Sequence, residues 1–67
     1  MILKTKKDDR VKYCEIIGRV EFVNYKTKTI ECIFSINEKE VCILFDLQGY
    51  LIPSGRTMNI PQLEILK

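Results

Sequence analysis

Apolar residues in this chain tend to fall at every second position, in short runs separated by small polar clusters. That period is the signature of half-buried β-strands, because successive side chains on a strand point to opposite faces. Residues 1–9, MILKTKKDD, read as a short strand or a basic arm that Ile2 and Leu3 pin to the body. Arg10 to Cys14 reads as the first core strand, with Val11 and Tyr13 facing inward. The inward set then changes parity to Val20 and Phe22. Strict alternation does not survive a change of parity, so a bend, bulge or loop is expected between Glu15 and Gly18. Gly18 tolerates the backbone angles such a break requires. The second strand runs from Gly18 to Tyr25 and its hairpin loop is Asn24 to Lys28. The third strand is Thr29 to Ile36, with Ile30, Cys32, Phe34 and Ile36 on one face. Asn37-Glu38 supplies the next tight turn, without the glycine of the best hairpin turns.

Glu40 to Ile52, EVCILFDLQGYLI, is the most apolar stretch of all. It reads as the central strand of the fold, Glu40 to Leu47, followed by the turn around Gln48-Gly49 and a short return strand at Tyr50 to Ile52. Val41, Ile43, Phe45 and Leu47 form its inner face. Cys42 and Leu44 make the opposite face apolar as well, and so need a cover of their own. Pro53 breaks the return strand, since proline offers no N–H to a ladder. Ile60 to Leu63 fits one turn of 3₁₀-helix with a proline near its start, and Leu63 to Leu66 closes the chain as a last strand. No stretch of ten or more residues carries a helical period. Five or six short strands with regularly spaced turns predict an all-β fold, a single domain over residues 1–67 in which residues 10–67 form a small barrel.

Composition narrows the class. A chain of 67 residues buries only about 60% of the surface its unfolded form exposes, so it gains much from economical packing or self-association. The net charge of +2 is small. It is concentrated in residues 1–12, where five lysines and arginines face two aspartates. Cys14, Cys32 and Cys42 are odd in number, show no Cys-x-x-Cys spacing and have no histidine to join them. Buried reduced thiols in a cytoplasmic protein are therefore expected, and no metal site or cofactor. No signal-peptide pattern is present, and no apolar run approaches the roughly 20 residues of a membrane span.

Arg10-Val11-Lys12, Gly18-Arg19-Val20, an apolar strand, a short 3₁₀-type turn and Leu63-Glu64-Ile65-Leu66 follow one another in a layout that resembles SH3-like small barrels, including the KOW and Tudor-type groups. The resemblance implies a barrel over residues 8–66. It does not bring those families' ligands with it. Asp8-Asp9 replaces the glycine that often precedes the first valine, and the aromatic cage of Tudor domains and the aromatic set of signalling SH3 domains are absent. The small size and the Ile- and Lys-rich make-up also resemble barrels encoded by phages and other mobile elements.

Enzyme chemistry finds little support. There is no histidine for acid–base work near neutral pH, no Gly-rich phosphate loop, and the glutamates are scattered singly along strand edges. The expectation is a non-catalytic binding or inhibitory module that acts through protein–protein contacts. Cys42 and Leu44 are the candidate oligomer interface, and a homodimer would supply burial that the short chain lacks. Arg19, Tyr25, Lys26, Lys28, Tyr50 and Arg56 are the candidate partner-binding residues. In a nucleic-acid-binding alternative, basic loops would follow the backbone while Tyr25 and Tyr50 stack on bases. In a third alternative, an oligomeric barrel sequesters a nucleotide-type small ligand, with the arginines gripping phosphate. Set against both alternatives, these lysines and tyrosines also serve simply as a solvated surface and as covers for loop ends.

Overall fold

The computed structural model describes residues 3–52 and 61–66. Five antiparallel strands form one sheet: β1 (Arg10–Tyr13), β2 (Ile16–Asn24), β3 (Thr29–Ile36), β4 (Lys39–Asp46) and β5 (Glu64–Leu66). Their order is β4-β3-β2-β1-β5. The described residues contain no helix, and the all-β expectation holds. The sheet is not closed by strand pairing, so it approximates a barrel without being a complete one. The gap between edges β4 and β5 is spanned by the turn after β4. Leu3 N–H donates to the Leu47 carbonyl at 2.8 Å, and Gln62 and Leu63 N–H both donate to the Gly49 carbonyl at 3.0 Å.

The core lies on the concave face. Val11, Val20, Ile30, Cys32, Phe34 and Phe45 are fully buried, with Leu47 and Leu63 nearly so. Tyr13, Phe34 and Phe45 meet edge to face or tilted, with ring centroids 5.2–6.4 Å apart. Such pairs add about 0.5–1.5 kcal/mol each beyond the area they bury. Gly18 lies opposite Phe34 across the β2–β3 ladder. A Cβ there would strike the Ile33 carbonyl and come within 2.6 Å of the Phe34 ring. Glycine at this position lets the ring lie flat over β2.

Several expectations change. The stretch from Glu40 is not central: β4 is an edge strand, and β2 occupies the middle of the sheet. The parity break is a two-residue hairpin turn at Cys14-Glu15, with φ of 50° and 66° and Tyr13 paired to Ile16. Gly18 is therefore inside a strand and not in the break. A second parity change was not foreseen. The register shifts between Val20 and Phe22, and this bulge turns Phe22 outward, 51% exposed, while Val23 packs against the core in its place. Val41 shares the inner face of β4 and pairs with buried Phe34, but it is 39% exposed on this edge strand. The return strand reduces to one bridge, Leu51 to Phe45. Residues 61–63 make a bend, and the first residue of the expected 3₁₀ turn, Ile60, lies outside the described residues. Leu3 does anchor the N-terminal segment, packing against the core. That segment then joins the sheet: Asp8 N–H donates to the Val20 carbonyl at 2.8 Å, and Val20 N–H to the Asp9 carbonyl at 2.9 Å.

Candidate interaction face

The convex face of the sheet is assembled by the ladder register. One row across it reads Arg10, Arg19, Ile33 and Cys42. The next row reads Phe22, Glu31 and Leu44. Ile17, opposite Lys12 on β1, extends the same face. The result is an apolar strip across three adjacent strands: Phe22 on β2, Ile33 on β3, and Cys42 and Leu44 on β4. Leu44 is 40% exposed and Cys42 is exposed. Ile52, also exposed, lies against this edge, its N–H donating to the Leu44 carbonyl at 3.1 Å.

Charge on this face is mixed in sign. Arg10, Lys12 and Arg19 lie on β1 and β2 together with Glu21, Lys12 is 3.4 Å from Glu15 and opposite Glu64 of β5, and Glu31 and Glu40 lie on β3 and β4. Arg19 reaches over β3, with Nη1 3.4 Å from Glu40 Oε2, and its Nη2 lies 3.9 Å from Glu21 Oε2. These are exposed pairs, of the kind worth at most about 1 kcal/mol. A phosphate approaching Arg19 competes with both carboxylates.

The other candidate residues lie elsewhere. Tyr25, Lys26 and Lys28 share the exposed β2–β3 turn. Asn24 Oδ1 shapes that turn by accepting from Lys26 and Thr27 N–H at 3.0 and 3.2 Å, and Lys28 takes a φ of 61°. Tyr50 is half-buried, and its N–H donates to Asp46 Oδ1 at 3.0 Å. Asn24, Thr29 and Asp46 are ladder partners, so the turn carrying Tyr50 leaves the same end of the sheet as the lysine turn. Arg19 is separate from both, in mid-sheet. Arg56 lies outside the described residues.

Phe22, Ile33 and Ile17 are the face residues that sequence reasoning missed. Ile33 was legible, as the one apolar residue on the polar side of the third strand. Phe22 was not, because the bulge decides its side.

The expectation of buried thiols holds for Cys32 alone. Cys14 and Cys42 are exposed, and all three are free. Burial, and secondarily the negative charge of a neighbouring Cys42 thiolate, push the Cys32 thiol up to about 12. Tyr13 is also raised, first by hydrogen bonding to the Cys14 side chain and then by burial. Among the described residues no group of three or more His, Cys, Asp or Glu side chains is placed to hold a metal ion. An open depression of about 520 Å³ is lined by Lys4, Thr5, Lys6, Asp9 and Leu66. Inside it Asp9 Oδ2 is taken up by Thr5 Oγ1 at 3.0 Å and Lys6 N–H at 3.1 Å. No helix among the described residues is long and apolar enough to cross a membrane. No protein-family model, curated protein or solved structure matches this chain.

Proposed function

We propose that this chain is a non-catalytic protein-binding module of SH3-like layout, and that it docks its partner on the convex face of the sheet. One observation carries the reading. Phe22, Cys42 and Leu44 lie exposed on the side away from the core, with half-buried Ile33 and Glu31 between them on β3. Isolated exposed apolar residues are ordinary, but several gathered on one face among charged residues have the composition of an interface. The SH3-like layout is supported by the four-strand meander with β5 returning beside β1. Three free thiols suit a reducing compartment such as the cytoplasm.

A photo-crosslinking residue at position 22, introduced in cells that express the chain, tests this reading. Protein adducts are expected from position 22 and not from Lys7, which is exposed but off the face. If position 22 gives no more protein adduct than position 7, the reading fails.

A second reading has an observation of its own. Tyr25 is 65% exposed and shares its turn with Lys26 and Lys28, an arrangement suited to stacking on bases beside phosphates. In that case oligonucleotide affinity falls steeply with salt and Tyr25→Ala weakens it. Absence of binding at low salt removes this alternative.

A further inference from the structure

We infer that the open edge of β4 pairs with the same edge of a second copy of the chain, antiparallel and centred on Val41, so that the two sheets run on as one. This contact uses the rim of the sheet and is independent of the docking face proposed above.

Backbone geometry identifies the groups involved. In an antiparallel strand the N–H and C=O of one residue point to the same side, and successive residues alternate sides. Leu44 C=O accepts from Ile52 N–H, and Asp46 N–H donates to the Tyr50 carbonyl. The even-numbered residues of β4 therefore turn these groups away from β3. The Tyr50–Ile52 segment meets that edge only at Leu44 and Asp46, and the chain turns at Ile52. Glu40 and Cys42 point the same way, and their N–H and C=O groups have no partner among the described residues. Lys39, Glu40, Val41 and Cys42 are all exposed. An open strand edge of this kind is a template for another strand.

What bounds the edge selects the occupant and the register. The Asn37-Glu38 turn ends it on one side and Ile52 on the other. A two-fold axis through Val41, perpendicular to the sheet, sets Glu40 opposite Cys42 of the second copy, and the reverse. The outward groups of Glu40 and Cys42 on both copies then satisfy one another. Centring on Cys42 would set Glu40 against Leu44, whose carbonyl Ile52 already holds. Centring on Glu40 would set Cys42 against the turn. The side chains agree with the central register. Val41, 39% exposed on the inner face, meets its own copy at a non-hydrogen-bonded site, where side chains come closest. Lys39 lies opposite Ile43 and Glu40 opposite Cys42, so no like charges are directly opposed. A foreign strand would share the backbone bonds, but a copy of this chain brings an edge with the same bounds and the same exposed valine, as twofold pairing requires.

The contact is short, and weak association is expected. Sedimentation equilibrium of the full chain is therefore run under reducing conditions from micromolar to millimolar concentration, with amide hydrogen exchange followed by NMR over the same range. A dimer is expected at the upper end, with the Glu40 and Cys42 amides exchanging more slowly as it forms. In a mixture of isotope-labelled and unlabelled chains, a filtered spectrum should join Val41 of one copy to Val41 of the other. Cys42→Pro removes an outward N–H, at a place where an edge strand accepts proline, and should give a folded monomer by circular dichroism. Cys42→Ser keeps the N–H and should dimerise as the parent chain does. A monomer at every concentration overturns the inference. So does a dimer whose Glu40 and Cys42 amides exchange at rates independent of concentration, one that Cys42→Pro leaves intact, or one that Cys42→Ser abolishes. Absence of protein adducts from position 22 removes the docking face and leaves the edge pairing standing.

Discussion

β3 and β4 are neighbours, paired residue for residue from Thr29–Asp46 to Ile36–Lys39, and both are rich in apolar side chains. Their burial is opposite in kind. β3 alternates cleanly, with Ile30, Cys32 and Phe34 at zero exposure. β4 buries only Phe45 within its length and exposes most of the rest, including Cys42 and Leu44. Strand composition therefore does not set burial here. β3 has a strand on each side and faces Val11, Val20 and the Tyr13 ring across a curved sheet. β4 has β3 on one side and only the short segment Tyr50–Ile52 on the other, and the core reaches its second half, at Ile43 and Phe45, near Leu3, Leu47, Leu51 and Leu63. A strand apolar on both faces then presents one face to whatever lies outside, and here that face is continuous with Phe22 and Ile33.

The largest test of this contrast is a paired truncation. Phe34→Ala should cost about 3–5 kcal/mol, the range for emptying a buried aromatic site, and in so small a domain the cooperative melt should nearly vanish. Leu44→Ala should cost under about 0.5 kcal/mol, as exposed positions do. Comparable losses at the two sites, read from chemical denaturation, would erase the distinction between the strands.

Gly18→Ala should follow in size. The added methyl meets a backbone carbonyl and the Phe34 ring, and overpacking of this sort costs about 1–3 kcal/mol. A melting temperature equal to that of the parent protein would show that Phe34 does not depend on the bare backbone of β2.

The thiols of the two strands give a pH test. Cys32, on β3, is raised to about 12 in the folded chain from an ordinary value of 9.0. Because the folded value is the higher one, stability from this group is complete below about pH 9 and declines as pH rises toward 12. The slope is roughly 1.4 kcal/mol per pH unit. Cys32→Ala should show a shallower decline between pH 9 and 11, although it starts from a lower stability. A thiol reagent should label Cys14 and Cys42 in the folded protein and Cys32 only after denaturation. Rapid native labelling of all three thiols would contradict the burial of β3.

The smallest effect concerns the turn that joins the two strands. Asn37 and Glu38 both have positive φ, 52° and 65°, the conformation of a two-residue hairpin turn that favours Asn-Gly. Glu38→Gly should stabilise by up to about 1 kcal/mol, raising the melting temperature by several degrees. No change would mean that the strain is already relieved elsewhere.

Much of the fold was legible because alternation is a local property. Thr29–Ile36 reads directly from the sequence, and its buried residues follow from period two. The all-β class follows from the absence of any helical period. The candidate site was less legible. Cys42 and Leu44 stand out as apolar residues on the wrong side of an alternating run, but Phe22 reads as a core residue and the structure turns it outward. Arg19 reads as a partner-binding residue and is engaged by Glu21 of its own strand and by Glu40, which the sheet brings to it from β4.

By itself, then, the sequence determined which side chains share a face within each uninterrupted strand, because backbone geometry enforces that wherever the chain is extended. Only the tertiary structure decided which strand is at the edge, where the bulge resets the parity of β2, and which apolar face goes uncovered. Those outcomes depend on pairing between residues distant in the chain. The most apolar stretch could have been the middle of the sheet on composition alone. Strand order made it the rim, and left half of its apolar surface facing outward.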